Sequence, residues 1–142
     1  MLKRTLSTCF YICPTIAFCD TDAGGVVYHT KYLELAERAR ADLLLSLGLS
    51  NQALWLRGFV FAVTDMTVKY HRPAILGDVL SIQTTRLHLS HVRIHLQQDI
   101  LRQENLLVSL RIHLACLSKE GKPKAMDAPL YASLASLQEP EV

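Results

Sequence analysis

The chain has 142 residues, half of them hydrophobic and 20% charged, and its 15 Lys and Arg against 13 Asp and Glu leave a formal charge of +2. That length is expected to hold one domain spanning residues 1–142, too short for an eight-fold β/α barrel, with too much apolar material for a disordered chain. The small positive excess forms no basic stripe and argues against nucleic acid as a partner.

The N-terminal stretch MLKRTLSTCFYICPTIAFC has a basic start and a largely uncharged continuation. Pro14 interrupts it, no small-x-small cleavage site follows, and it runs into Asp20 and Asp22, so the sequence is read as lacking a secretory signal. No apolar run reaches the length of a membrane-spanning helix. Cys9, Cys13, Cys19 and Cys116 show neither a C-x-x-C pair nor zinc spacing, and a chain with this much core does not need disulfides. The expectation is a reduced, cytoplasmic protein.

In chain order, Leu6 to Phe18 reads as a strand with a break or an edge position at Pro14. Asp20-Thr21-Asp22-Ala23-Gly24-Gly25 reads as a compact turn. Tyr32, Leu33, Ala36, Ala39, Leu43, Leu44 and Leu47 recur at three and four, which predicts an amphipathic helix from about His29 to Leu47, stopped at Gly48. Ser50 to Gly58 reads as a polar, partly helical connection. Strands are expected over Phe59 to Tyr70, Val79 to Leu89, Val92 to Ile100 and Leu106 to Leu117. Arg86, His88 and Ser90 alternate with Leu87 and Leu89 as one wet and one buried face. The tail from Ser118, rich in Lys, Gly and Pro, reads as a loop and a frayed end.

One strand, one long helix and then about four consecutive strands disfavour a doubly wound parallel sheet. The expected class is α+β, with a long helix against a curved antiparallel sheet of about five strands. One helix cannot cover both faces of such a sheet, so oligomerisation is expected.

Chemistry concentrates in Asp20-Thr21-Asp22-Ala23-Gly24-Gly25-Val26-Val27-Tyr28-His29. Free amides at a helix start can polarise a carbonyl oxygen, and a carboxylate a few residues upstream can stand beside the same spot. Asp22 would then attack an activated acyl group or activate water, with amides around Tyr28 and His29 holding the oxyanion. His29 could also orient the substrate or Asp22. On local pattern alone, the two aspartates equally serve as donor-satisfying turn residues. A calcium loop fails because Gly24 and Lys31 stand where oxygen ligands are needed. There is no phosphate-binding glycine loop and no G-x-S-x-G elbow. The histidines form no H-E-x-x-H motif, although His91 and His95 would share a strand face. Trp55 and Phe59 could line an acyl pocket, or simply pack. Lys69, Arg72, Arg86 and Arg93 could meet the phosphates of a carrier, against the ordinary reading of solvated surface. Glu37, eight residues beyond His29, could point back towards the same region.

The segment FCDTDAGGVVYHTKYLELAERAR, with the later MTVKYHRPA, closely resembles the hotdog-fold acyl-CoA thioesterases of the 4-hydroxybenzoyl-CoA thioesterase class, and is most similar to the branch associated with the bacterial Tol-Pal cell-envelope system. The resemblance runs from about Ile12 to Pro129. It implies a central helix wrapped by an antiparallel sheet, paired into dimers that often associate as tetramers, with the active site at the dimer interface. By motif position it implies Asp22 as the catalytic carboxylate and the His29 amide, beside Tyr28, as the carbonyl-polarising group. Phe18, Gly25 and Val26 then fall around the substrate, Trp55 and Phe59 along the acyl group, and Lys69 and Arg72 towards coenzyme A. The implied substrate is an acyl-CoA, coenzyme A is part of that substrate, and neither cofactor nor metal is required. The branch usually carries Tyr and Glu before D-T-D, where this chain has Phe18 and Cys19. That departure sustains an alternative, a weakly active or inactive hotdog scaffold with a cell-envelope protein partner. Hydration of an enoyl thioester is a third reading, disfavoured by the lack of a hydratase-type His motif.

Overall fold

The computed structural model describes residues 9–140. Five strands form one antiparallel sheet in the order β1-β3-β4-β5-β2. They are β1 Cys9–Ile12, β2 Val60–Tyr70, β3 Ser81–Leu89, β4 Arg93–Arg102 and β5 Asn105–Leu117. The helices are α1 Lys31–Ser46, α2 Asn51–Leu56 and α3 Ala128–Ala135, with a 3₁₀ turn at Phe18–Asp20. The helix against an antiparallel sheet is the architecture expected above. No helix among the described residues is long and apolar enough to cross a membrane.

β1 is shorter than expected. Residues 6–8 lie outside the described residues, and Pro14 ends the regular pairing because it has no N–H to donate. Beyond Ile12 the chain still runs beside the segment preceding β3, with Cys13 N donating to Leu80 O and Ile16 N to Asp78 O, each at 2.9 Å. α1 starts at Lys31, two residues later than the periodicity suggests, because His29 and Thr30 belong to a turn closed by Lys31 N on Tyr28 O at 3.0 Å. It buries Tyr32, Leu35, Ala36, Ala39 and Leu43, one apolar stripe at helical spacing. It stops where Gly48 takes φ +73°, a left-handed conformation that glycine adopts without strain.

α1 lies mainly over β1, β3 and β4. The even-numbered residues Ile94, Leu96, Gln98 and Ile100 of β4, and Val108, Leu110, Ile112, Leu114 and Cys116 of β5, face it and are buried. Gln98 is the polar member of that row, and its amide is fully used. Nε2 donates to Ala36 O at 3.0 Å and to Thr84 Oγ1 at 3.1 Å, while Oε1 accepts from Arg40 Nη1 at 2.9 Å. Removing it strands three partners and opens a void. Gln98→Ala should cost about 3 kcal/mol, seen as a lower urea midpoint at unchanged slope.

Two local expectations fail for identifiable reasons. The alternation at Arg86 to Ser90 is broken by a bulge: Arg86 pairs with Leu96 but His88 pairs with His95. The inserted residue leaves Leu87 38% exposed, while Arg86 turns towards the C-terminal segment and ion-pairs with Glu139 at 3.2 Å. The Lys-, Gly- and Pro-rich tail does begin as a loop, but a helix that was not expected follows it. Asp127 caps α3 by accepting Leu130 N at 2.9 Å, and Leu130 and Leu134 are buried. Their spacing of four residues, with Leu137 following, was the helical signal in an otherwise loop-like composition.

The histidines also regroup. His91 precedes β4 and stacks on Tyr131 with ring centroids 4.5 Å apart, so it does not share a strand face with His95. The bulge instead aligns His88, His95 and His113 across the outer sheet face, with centroid separations of 5.0 and 3.7 Å. Burial, then the neighbouring His113, His88 and Arg93, lower the His95 pKa from 6.5. The unfolded chain therefore takes the proton more readily, and stability falls as pH drops from about 6.5 towards the lower folded value. Replacing His95 with Gln should flatten that decline, read from melting temperatures over the same pH range.

Candidate active site

Residues 18–30 form a tightly bonded loop between β1 and α1. Asp20 sits beneath it. Its Oδ2 accepts Ala17 N at 2.9 Å and its Oδ1 pairs with Lys31 Nζ at 3.2 Å. The Ala17 amide first, and then Lys31, hold the Asp20 carboxyl below the usual carboxylate range despite an opposing contribution from burial. Asp20 thus satisfies loop donors, which the turn reading expected of both aspartates.

Asp22 is placed differently. Asp22 N donates to Val26 O at 2.8 Å and Gly25 N to Asp22 O at 3.0 Å, closing a tight turn. Asp22 Oδ1 accepts Gly24 N at 2.8 Å and Val26 N at 3.3 Å. No side chain or amide among the described residues bonds its Oδ2. One oxygen fixes the carboxylate and the other is available. Both glycines serve this geometry. A Cβ on Gly24 would stand 3.2 Å from Asp22 Oδ1, and Gly25 takes φ +84°.

The amides at the helix start divide. Tyr28 N donates to Asp20 O at 3.1 Å, whereas His29 N has no acceptor among the described residues. Of the two donors expected at this position, His29 is the free one. The carbonyl of that peptide, Tyr28 O, accepts Lys31 N at 3.0 Å, and the next peptide is held by Tyr70 Oη, which donates to His29 O at 2.7 Å. Tyr70 packs edge-on to Tyr32 at 5.8 Å, and Tyr32 Oη accepts Ala74 N at 2.9 Å. Val27 N donates to Ala74 O at 2.9 Å. The C-terminal end of β2 is thereby stitched to the Asp22 loop. Sequence reasoning did not single out Tyr70 or Tyr32; nothing local marks a strand tyrosine as the support of a peptide 41 residues away.

A second feature lies at the other end of β2. A cavity of about 330 Å³ opens between α1, α2, α3 and the core face of β2, β4 and β5, within the range of small-molecule pockets. Trp55 and Phe59 line it, as does Glu37, together with Arg40, which was not anticipated. Burial lowers the Arg40 pKa and the Glu37 carboxylate opposes that shift. Asp22, His29, Gly25 and Val26 are not among the lining residues. Within the chain, then, the loop and the cavity are separate.

The remaining candidates do not line the cavity. Phe18 is 82% exposed on the 3₁₀ turn. Lys69 and Arg72 are exposed at the end of β2 that adjoins the Asp22 loop. Arg86 pairs with Glu139 at 3.2 Å and donates to Ala135 O at 3.4 Å.

A fixed carboxylate with one open oxygen and an unused amide, carried on one loop, are the equipment for hydrolysing an activated acyl group, and comparison with known proteins agrees. Residues 24–109 match the thioesterase superfamily model, and the chain belongs to that superfamily. It is a thioester hydrolase of the hotdog fold. The acyl-CoA thioester hydrolase YbgC of Escherichia coli O6:H1 is 38% identical over 115 residues, covering 80% of this chain and 86% of that protein. The acyl-CoA thioesterase YbgC of Haemophilus influenzae is 34% identical over 111 residues, covering 78% and 81%. The crystal structure of a probable thioesterase from Bartonella henselae superposes with TM-score 0.77 at 34% identity, covering 83% of this chain and 99% of that one.

Proposed function

We propose that this chain hydrolyses acyl-CoA thioesters to a carboxylic acid and coenzyme A, with Asp22 as the reacting carboxylate and the His29 amide as the oxyanion donor. The observation that carries this reading is the asymmetric bonding of Asp22, fixed through Oδ1 and open at Oδ2, in the same loop as an amide with no acceptor among the described residues. The substrate class is that named for the YbgC relatives.

In the general-base route, Asp22 takes a proton from water as its oxygen attacks the thioester carbon. The carbonyl oxygen becomes an oxyanion on His29 N–H. Collapse breaks the C–S bond, and the proton on Asp22 passes to the departing thiolate. In the nucleophilic route Asp22 Oδ2 attacks the same carbon, expels the thiolate and forms a mixed anhydride that water opens. Both routes use one carboxylate in one place. After a single turnover in ¹⁸O-water, label recovered in the Asp22 carboxylate marks an anhydride opened at the Asp22 carbonyl.

The functional unit is a homodimer. β2 is an edge strand of 11 residues, and a long unpaired edge invites pairing with a second copy. Antiparallel pairing of two β2 strands about a two-fold axis sets the Tyr70 end of one beside the Val60 end of the other. That places the Asp22 loop of one protomer against the cavity of its partner, with Lys69 and Arg72 at the entrance for coenzyme A phosphates. Further association of dimers into a tetramer is read from mass in solution.

The test is free-thiol release by the purified protein from short aliphatic, long aliphatic and aromatic acyl-CoAs, with mass measured in parallel. Turnover by a dimer or a larger assembly is the expected result. A correctly assembled protein that releases no thiol from any member of the panel would overturn the proposal.

A further inference from the structure

The cavity has two unlike sides. Its polar lining, Glu37, Arg40 and Asn51, comes from α1 and the start of α2. The contributions of the sheet and the C-terminal segment are hydrocarbon, with Ile94 and Leu96 from β4, Leu114 from β5, and Leu134 and Leu137 from the C-terminal segment. Leu134 and Leu137 are 2% and 5% exposed, so the side chains that close this wall are themselves packed into the core.

The C-terminal segment is held at several points. Asp127 accepts two bonds from Arg57 Nη2, at 2.9 and 2.7 Å, while capping α3. Just before it, Met126 N donates to His91 O at 2.7 Å, and Tyr131 stacks on His91. At the far end Arg86 N donates to Gln138 O at 2.8 Å and the Arg86 guanidinium reaches Ala135 O and Glu139. A helix bonded at both ends acts as a fixed wall. It also lies beyond residues 24–109, the part that matches the superfamily model. It is therefore a place where pocket depth can differ without touching the Asp22 loop.

We infer that α3 with the turn after it is the floor of the acyl pocket, and that Leu134 and Leu137 set the length of acyl chain accepted. The substrates selected are acyl-CoAs whose distal end is plain hydrocarbon. A carboxylate or hydroxyl carried to Leu134 and Leu137 would lose water among aliphatic side chains, and Arg40, the cation of the lining, is already bonded to Gln98 Oε1 at 2.9 Å and balanced by the Glu37 carboxylate. This rests on the thioesterase reading and adds the substrate class to it.

The experiment is a profile of kcat/KM over straight-chain saturated acyl-CoAs from short to long, for wild type, Leu134→Ala, Leu137→Ala and Leu137→Phe. The alanine variants deepen the pocket and should move the optimum to longer chains, raising the long-to-medium ratio of kcat/KM about tenfold. Leu137→Phe should move it to shorter chains. An ω-carboxylated acyl-CoA of matched length should be the poorer substrate of wild type by a similar factor. Leu137→Phe keeps the wall filled, so it tests the proposal even where an alanine variant fails to fold. Folded variants whose chain-length profiles coincide with that of wild type would overturn the inference while leaving the hydrolase reading standing. Absence of turnover in wild type would overturn both.

Discussion

Asp22→Asn should lower kcat by about a thousandfold or more while leaving the fold, the melting temperature and the oligomeric mass unchanged. The hydrogen bonds make this a clean substitution. Asn keeps an oxygen at the Oδ1 position, so it can still accept Gly24 N and Val26 N, which Asp22 holds at 2.8 and 3.3 Å. The turn that presents the residue is therefore retained. What changes is the second atom. An amide nitrogen at the Oδ2 position offers neither a basic oxygen to take a proton from water nor a nucleophile to attack the thioester. Asp22→Ala gives a less readable result, because it also removes the acceptor for both loop amides. The measurement is free-thiol release with a substrate that wild type turns over, alongside thermal unfolding. An Asn variant retaining more than about a tenth of wild-type kcat would remove Asp22 from the chemistry, since loss of a positioned acid or base costs about a hundredfold at least.

The contrast between what could and could not be read from the sequence follows from distance along the chain. The loop from Asp20 to His29 was legible because every hydrogen bond to Asp22 is local: its partners are two to four residues away. α1 was legible because one apolar stripe recurs along it, and β4 and β5 because their burial alternates strictly over long runs. The bulge at Leu87 was not, since a single inserted residue leaves composition and hydropathy unchanged while reversing which face each later side chain meets. α3 was obscured by its neighbours, a short helix following Lys- and Pro-rich loop sequence. The cavity was only half visible. Trp55 and Phe59 stood out as aromatics beside a connection, but their companions Arg40, Leu96 and Leu137 come from three other elements and meet only after folding. Tyr70 was invisible for the same reason. The Tyr70 Oη bond to His29 O joins the last residue of a strand to a turn far earlier in the chain.

That separation of loop from cavity leads to the second large effect, which tests the composite site directly. Ala41 lines the cavity from α1, and Ala41→Trp should fill the cavity and abolish turnover with the Asp22 loop untouched. Asp22→Asn abolishes it with the cavity untouched. Each variant alone is expected to be a folded, inactive homodimer. When the two are co-expressed or exchanged, random pairing makes half the dimers mixed. In a mixed dimer, the intact Asp22 belongs to the protomer whose cavity is filled, and the open cavity belongs to the protomer that carries Asp22→Asn. If each active site joins the loop of one protomer to the cavity of the other, one of the two sites in every mixed dimer is complete. Activity then returns to about a quarter of that of wild type. If each site lies within a single protomer, every site in every dimer carries a lesion and the mixture stays dead. The recovered activity should follow the mixing ratio and peak at equal amounts. A mixture without activity, after mass analysis has shown that mixed dimers formed, would sink the composite site and leave the cavity serving its own protomer.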